Sequence, residues 1–503
     1  MQSNADLILS LDLGTSAIKA GLFSTSGELV SQASREQPLL FPETDHVEQS
    51  PTTTWRLMVE ATREVLATVS AGDVVAIVTT THRGSVVPIR GNGEAMTDLI
   101  VWMDRRALRQ VDRLNEVVGS AEYYDISGHP IVAATGVSKL LWLRDEARAI
   151  WDEAEVIGPP QTLFNRWLGS EESVVDYSSG SYLFPCDIRT MEWSGEIARA
   201  LSFSTDKLPS LVPATTIVGH LKNPAATDLG LPTGIPIIAG GGDGQCAAAG
   251  SGVVAPGTVM VNIGTATGVQ VFLSEPFFDA ARTLNCAAHV VPNSWEMEGH
   301  TQASGTVLRW FRDEFGGVER LMGSRSNHDA YDLLIDQASR APAGSGGLLF
   351  LPTFNGSSAP VIDPNATGAI VGLKLSHTRS HVIRSVLEGI SLEVRWMLDT
   401  MARAGVPVEE VRLAGGGSRN ETWNQIHADI LNRPLRTVRH ADAALVGAAM
   451  CAAVAIGVFP HFQAANDAFV KFGPTITPQE KNVAVYESCL TRYISLVGKL
   501  SGN

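Results

Sequence analysis

The 503-residue chain is short of several features that would each have fixed its class. Its five cysteines (Cys186, Cys246, Cys286, Cys451, Cys489) are far apart, odd in number and without a CxxC pair. That excludes a disulfide-stapled scaffold and predicts reduced thiols in a cytoplasmic protein. Positive charge is scarce: 38 Lys and Arg against 53 Asp and Glu leave a net charge of −15. Such a surface repels phosphate backbones and anionic membranes, so neither nucleic acid nor a membrane is expected as a partner. The start MQSNADLILSLDLG has no basic n-region and runs straight into a strand-like segment, so it is not expected to act as a signal peptide. The longest uncharged apolar run, Ala443 to Phe459, is mostly alanine and glycine and reads as a buried, closely packed helix rather than a span.

Catalytic signatures are missing as well. There is no GxxxxGK[ST] loop and no GxSxG elbow, which excludes a Walker-type nucleotide site and disfavours an α/β-hydrolase. A degenerate G-x-G-x-x-A at Gly250 lacks the acidic partner of a dinucleotide site. His377 and His381 stand four apart, but Thr378 occupies the place of a zincin's glutamate, so they read as surface or capping residues. With 44% hydrophobic and 18% charged residues the chain is no disordered protein. Single cores stop growing at roughly 250–300 residues, so at least two domains are expected.

What is present is a repeat. LDLGTSAIKAGLF (Leu11 to Phe23) and VNIGTATGVQVFL (Val261 to Leu273) share apolar–Asp/Asn–apolar–Gly–Thr–small followed by alternating apolar residues. Each predicts a β-hairpin around a Gly-Thr turn, and the second copy begins almost halfway along the chain. Two related α/β halves are therefore expected, meeting near residues 240–260. Asp73 to Thr80 predicts a buried strand; Ser50-Pro51 predicts an N-cap and first turn for a helix with Trp55, Met58, Val59 and Leu66 on one stripe. Glu421 to Leu431 also has helical spacing.

Three glycine-rich turns follow strand-like runs: Gly14-Thr15-Ser16, Gly264-Thr265-Ala266 and Gly415-Gly416-Gly417-Ser418. Successive backbone N–H groups in such turns form concave anion sites, so three of them favour a polyphosphate ligand. Phosphoryl transfer also needs carboxylates. Asp12 ends the first strand beside such a turn, where it would hold Mg²⁺ directly or through water. Asp243, flanked by glycines in IIAGGGDGQ, is open to close approach by a substrate; the position equally suits a helix N-cap. Cys246 beside it reads as a small packing residue.

The longest pattern, GAIVGLKLSHTRSHVIRSVLEG (Gly368 to Gly389), resembles the C-terminal signature of the FGGY carbohydrate kinases, and the chain is most similar to xylulokinases. LDLGTSAIKAGLF, GGGDGQ, NIGTATG, LAGGGSRNETW and KLLWLRDE from Lys139 resemble other segments of the family, spread over nearly the whole chain. The resemblance implies two actin/hexokinase-like (ribonuclease H-like) ATPase domains with ATP in a central cleft. Residues 1–245 would form the sugar-binding domain and 246–503 the nucleotide-binding domain. It makes Asp243 the catalytic base and Asp12 the Mg²⁺-side carboxylate, with Gly14, Thr15 and Lys19 near the phosphates. Gly264 and Thr265 become a second phosphate clamp; Gly305, Gly415, Gly416, Gly417 and Asn420 become the nucleotide side. Trp102 and Asp104 in VWMDRR, with Asp243, face the sugar. Family habit extends to homodimers.

The resemblance implies ATP-dependent phosphorylation of a terminal hydroxyl, first of D-xylulose to xylulose 5-phosphate. Three segments depart from the pattern: His82-Arg83-Gly84 replaces Met-His-Gly, Met103 replaces asparagine and Gly356-Ser357-Ser358-Ala359-Pro360 replaces Gly-Glu-Arg-x-Pro, the first two in the expected sugar-contacting segment. Arg83 is either a salt-bridged wall residue or a hydrogen-bonding fork for a differently shaped polyol or a sugar acid. The alternatives are therefore another ketose, polyol or acid (ribulose, xylitol, erythritol, gluconate or an autoinducer-type sugar). A different class is an actin-like ATPase switch that phosphorylates no sugar, or a kinase-like fold without activity.

Overall fold

Both copies of the repeated motif are β-hairpins, and each sits in the same place in its own sheet. The computed structural model describes residues 6–326, 328–439 and 442–500, so the first five residues of the strand-like start lie outside the described residues. The chain forms two compact units, each assembled from three stretches. The first takes Met1–Val254, Leu273–Glu296 and Asp442–Lys471; the second takes Ala255–Phe272, Met297–Ala441 and Phe472–Asn503.

In the first unit, strands Leu7–Leu13 and Ala17–Ser24 pair antiparallel, with Asp12 opposite Lys19. The first of them also pairs in parallel with the strand Val74–Thr81, which in turn pairs in parallel with Pro236–Gly242. Strand alternation divides the side chains of the first strand between two faces. Leu9, Leu11 and Leu13 join a core with Leu57, Met58, Ala61 and Val65 of the helix Pro51–Leu66. Ser10 points the other way, where its Oγ donates to the Leu445 carbonyl at 2.9 Å. Asp12 shares that second parity. The helix Pro51–Leu66 starts where the sequence indicates: Ser50 is its N-cap and Pro51 its first residue, with Met58 buried and Trp55, Val59 and Leu66 half-buried.

The alanine-rich run forms the helix Ala443–Ala455, buried from Ala444 to Ala453. It packs on the sheet and on the helix Asp243–Gly250 at backbone contact. A Cβ on Gly447 would lie 1.8 Å from the Cys246 carbonyl oxygen, which is why the seam is made of glycine and alanine. Among the described residues no helix is long and apolar enough to cross a membrane. All five cysteines are free and buried.

In the second unit, Gly257–Ile263 and Thr267–Leu273 form the other hairpin, with Asn262 where the first has Asp12. Here too the first strand continues in parallel with a later one, Val408–Ala414, followed by Leu435–Val438. The signature segment enters the long helix Arg379–Arg403, whose Glu388 is buried. Glu388 accepts from the Gly344 N–H, Ser345 Oγ, Arg384 Nε and Tyr486 Oη at 2.7–3.0 Å, so this acid is structural. His381 completes a capping box with Thr378, as a capping histidine should.

Candidate functional site

Asp243 stands where the buried strand Pro236–Gly242 gives way to the helix Asp243–Gly250. Gly242 is the N-cap and Asp243 the first helical residue, which corrects the capping alternative. The half-buried carboxylate lies at the positive end of the helix, its Oδ1 accepting the Gly244 N–H at 2.8 Å. A Cβ on Gly242 would lie 2.6 Å from Arg83 Cδ and 2.5 Å from Gln245 Oε1, so glycine lets the Arg83 stem cross the backbone just ahead of Asp243. The turn is braced from below. Gln161 Nε2 donates to the Ala239 carbonyl at 2.8 Å, and Ser178 Oγ accepts the Gly242 N–H at 2.9 Å while bonding the buried Asp176.

Asp12 lies close enough to feel the charge of Asp243. Burial pushes the Asp12 carboxyl up to about 7 against the pull of Lys19, with Asp442 and Asp243 adding to the rise. Lys19 Nζ stands 3.1 Å from Asp12 Oδ2 and 2.7 Å from Asp442 Oδ2. Burial opposes the lysine's charge, but the two carboxylates outweigh it and raise its pKa. Among the described residues no group of three or more His, Cys, Asp or Glu forms a ready metal cage. Asp12 Oδ1 is nevertheless buried without a hydrogen-bond partner, a dry oxygen in an acidic surround that suits a cation. Mg²⁺ in phosphate sites is held by one or two carboxylates together with phosphate oxygens and water, so the donor set fits.

On the expected sugar side the residues divide. Arg83 is half-buried, its guanidinium 3.9 Å over the Tyr182 ring. Trp102 is 39% exposed, and its indole N–H donates to Thr15 Oγ1 at 3.0 Å. His82 is buried between Gln49 and Ser85, and burial pushes its pKa down to about 4, so it is neutral. Asp104 is buried too: Oδ2 accepts the Val47 N–H and Arg106 Nη2, and Oδ1 accepts Arg106 N and Nε. It fixes the loop that carries Trp102.

The second unit has a cavity of about 300 Å³ of its own. Gly264, Thr265, Gly305, Gly416, Gly417 and Asn420 all line it, with Gly415 next in the chain. The Gly305 N–H, at the start of the helix Gly305–Phe315, donates to the Gly264 carbonyl at 2.9 Å and locks the turn to the helix end. Apolar walls come from Ile263, Leu308 and Ile335, and polar ones from Arg309, Tyr331, Asp332 and Arg419. Asn420 caps the helix Glu421–Leu431 and donates to Asp332 Oδ1 at 3.0 Å. A slot with an apolar wall, lined by glycine turns and the start of a helix, is chemically suited to a nucleotide.

Sequence reasoning missed Asp442, Gln49, Gln245, Tyr182 and the wall from Asp329 to Ile335. Of these only Gln245, two residues beyond Asp243, carried a local signal.

Comparison with known proteins covers the whole arrangement. Residues 7–250 match the N-terminal domain of the FGGY family of carbohydrate kinases, and residues 259–456 its C-terminal domain. A gluconokinase of Bacillus subtilis is 30% identical over 97% of this chain and 95% of its own. A xylulose kinase of the same organism is 26% identical over 97% and 95%. A solved xylulose kinase from Lactobacillus acidophilus superposes with a TM-score of 0.90 at 22% identity, covering 99% of both chains. The α/β fold is thus that of the two-domain sugar kinases.

Proposed function

The chain belongs to the FGGY family of carbohydrate kinases and is a sugar-kinase phosphotransferase, and from that premise we propose that it phosphorylates a terminal hydroxyl of a sugar acid of the gluconate type. Arg83 beside Asp243 carries this reading: a planar fork of N–H donors is matched to a carboxylate, and stacking on Tyr182 holds it in place. The relative named gluconokinase supports it. Asp243 would accept the proton of the attacking hydroxyl. Gly264, Thr265, Gly305, Gly415, Gly416, Gly417 and Asn420 would hold ATP in the second unit. In the first unit Gly14, Thr15 and Lys19 would bind phosphate oxygens, and Asp12 would hold Mg²⁺. The metal, when bound, neutralises phosphate charge. Trp102 would line the sugar, with His82 and Asp104 shaping its loops from behind.

A second reading, D-xylulose to xylulose 5-phosphate, has the xylulose kinase relative in its favour. A coupled assay of ATP turnover over aldonates, pentuloses, pentitols and tetritols separates the two. The expected result is sugar-dependent turnover, highest with D-gluconate. Arg83→Met should then lower the gluconate-to-xylulose ratio of kcat/KM at least ~10-fold, with Arg83→Lys between. ATP hydrolysis indifferent to every sugar would favour a nucleotide switch.

A further inference from the structure

His82 is the midpoint of a closed hydrogen-bond circuit in the first unit. Gln49 Nε2 donates to the Thr15 carbonyl at 2.6 Å, and Gln49 Oε1 faces His82 Nε2 at 3.0 Å. His82 Nδ1 faces Ser85 Oγ at 2.8 Å, and that Oγ accepts the Trp102 backbone N–H at 2.9 Å. The Trp102 indole N–H donates to Thr15 Oγ1 and closes the ring.

The direction of every bond follows from its ends. Gln49 directs its amide hydrogens to a carbonyl, which leaves its oxygen as acceptor and puts the imidazole hydrogen on Nε2. Ser85 accepts from Trp102, so its own hydrogen goes to Nδ1. A neutral imidazole satisfies all of them; an imidazolium would leave the Ser85 hydrogen without an acceptor. Gln49 and Ser85 are 1% and 0% exposed, so neither can meet a substrate directly. Thr15 and Trp102, the two ends they join, are the ring's accessible members.

We propose that Gln49 and Ser85 are positioning residues of the phosphoryl-transfer site, acting through His82 to keep the Trp102 indole in register with the Thr15 turn. This rests on the kinase reading above, in which Thr15 faces phosphates and Trp102 faces the sugar. Opening the ring removes no substrate contact but loosens the placement of both. The penalty therefore falls on kcat more than on either KM. Members of one network also lose non-additively.

The test uses full-length Ser85→Ala, Gln49→Met and the double variant, with ATP and whichever sugar among the aldonates, pentuloses, pentitols and tetritols the wild type turns over best. Each single variant should lower kcat about tenfold and move each KM less than about threefold. The double variant should fall no more than about threefold below the worse single one. Ser85→Thr, which keeps the hydroxyl, should recover most of the loss; if it does not fold, the coupling between Ser85→Ala and Gln49→Met decides alone. Wild-type kcat in the single variants, or multiplicative losses in the double, overturns the proposal. A wild type inert toward every sugar of that panel overturns it together with the proposed site, whereas an active wild type with undisturbed variants overturns it alone.

Discussion

At the scale of single residues, burial and charge act on the two central acids in different ways. Asp243 is half-buried at a helix start, where an asparagine fits the same space and still accepts the Gly244 N–H. Asp243→Asn should therefore fold, bind ATP as the wild type does and lose at least ~10²-fold in kcat. Near-normal turnover in that variant would remove Asp243 from the base role. Asp12, in contrast, sits under a lysine shared with Asp442, and that partner was invisible in the sequence because 430 residues separate the two acids. Glu393 offers a residue-scale test away from the site. It is 5% exposed on the long helix, and burial alone pushes its carboxyl up to about 8. The folded chain then keeps its proton in a pH range where the unfolded chain has released it. Stability should fall as pH rises from about 4.5 to about 8, by on the order of 5 kcal/mol. Glu393→Gln should flatten that slope in urea titrations at a series of pH values; an unchanged slope would assign it to other groups.

At the scale of elements, the hairpins were legible because strand alternation and a Gly-Thr turn are local signals, and both folded where they were read. The helix Ala443–Ala455 was legible as buried for an equally local reason, its lack of charge and bulk. What it packs against was not, since composition gives a face without naming its neighbour. The neighbour turns out to be the helix that Asp243 begins, which makes the seam a mechanical support for the site. Gly447→Ala places a methyl group against the Cys246 carbonyl and should cost roughly 3 kcal/mol. A lower urea midpoint accompanied by a lower kcat would tie the seam to the site, whereas a wild-type midpoint would show that the two helices can separate cheaply. Of the six pocket residues of the second unit, Gly264, Thr265, Gly416 and Gly417 were legible as glycine-rich turns and Gly305 and Asn420 only through the family resemblance, while the wall from Asp329 to Ile335 has no composition that marks it.

At the scale of the molecule, each unit is closed by residues from distant parts of the chain. A fragment of residues 1–254 lacks the helix that covers Ile8, Ser10 and their neighbours on the first sheet. It should be insoluble or loosely packed alone and should regain a cooperative transition when the stretches it lacks, residues 273–296 and the late peptide of residues 442–471, are added. Cooperative unfolding of the fragment without the peptide would show that the first sheet needs no late cover.

That dependence has a temporal side. Strands up to Gly242 leave the ribosome long before Asp442 is translated, and about 200 further residues take on the order of 10 s or more to make. During that interval the nascent sheet presents an oily surface whose proper occupant does not yet exist, so slowing elongation, or depleting chaperones that shield such surfaces, should lower the yield of native enzyme more than its equilibrium stability would suggest.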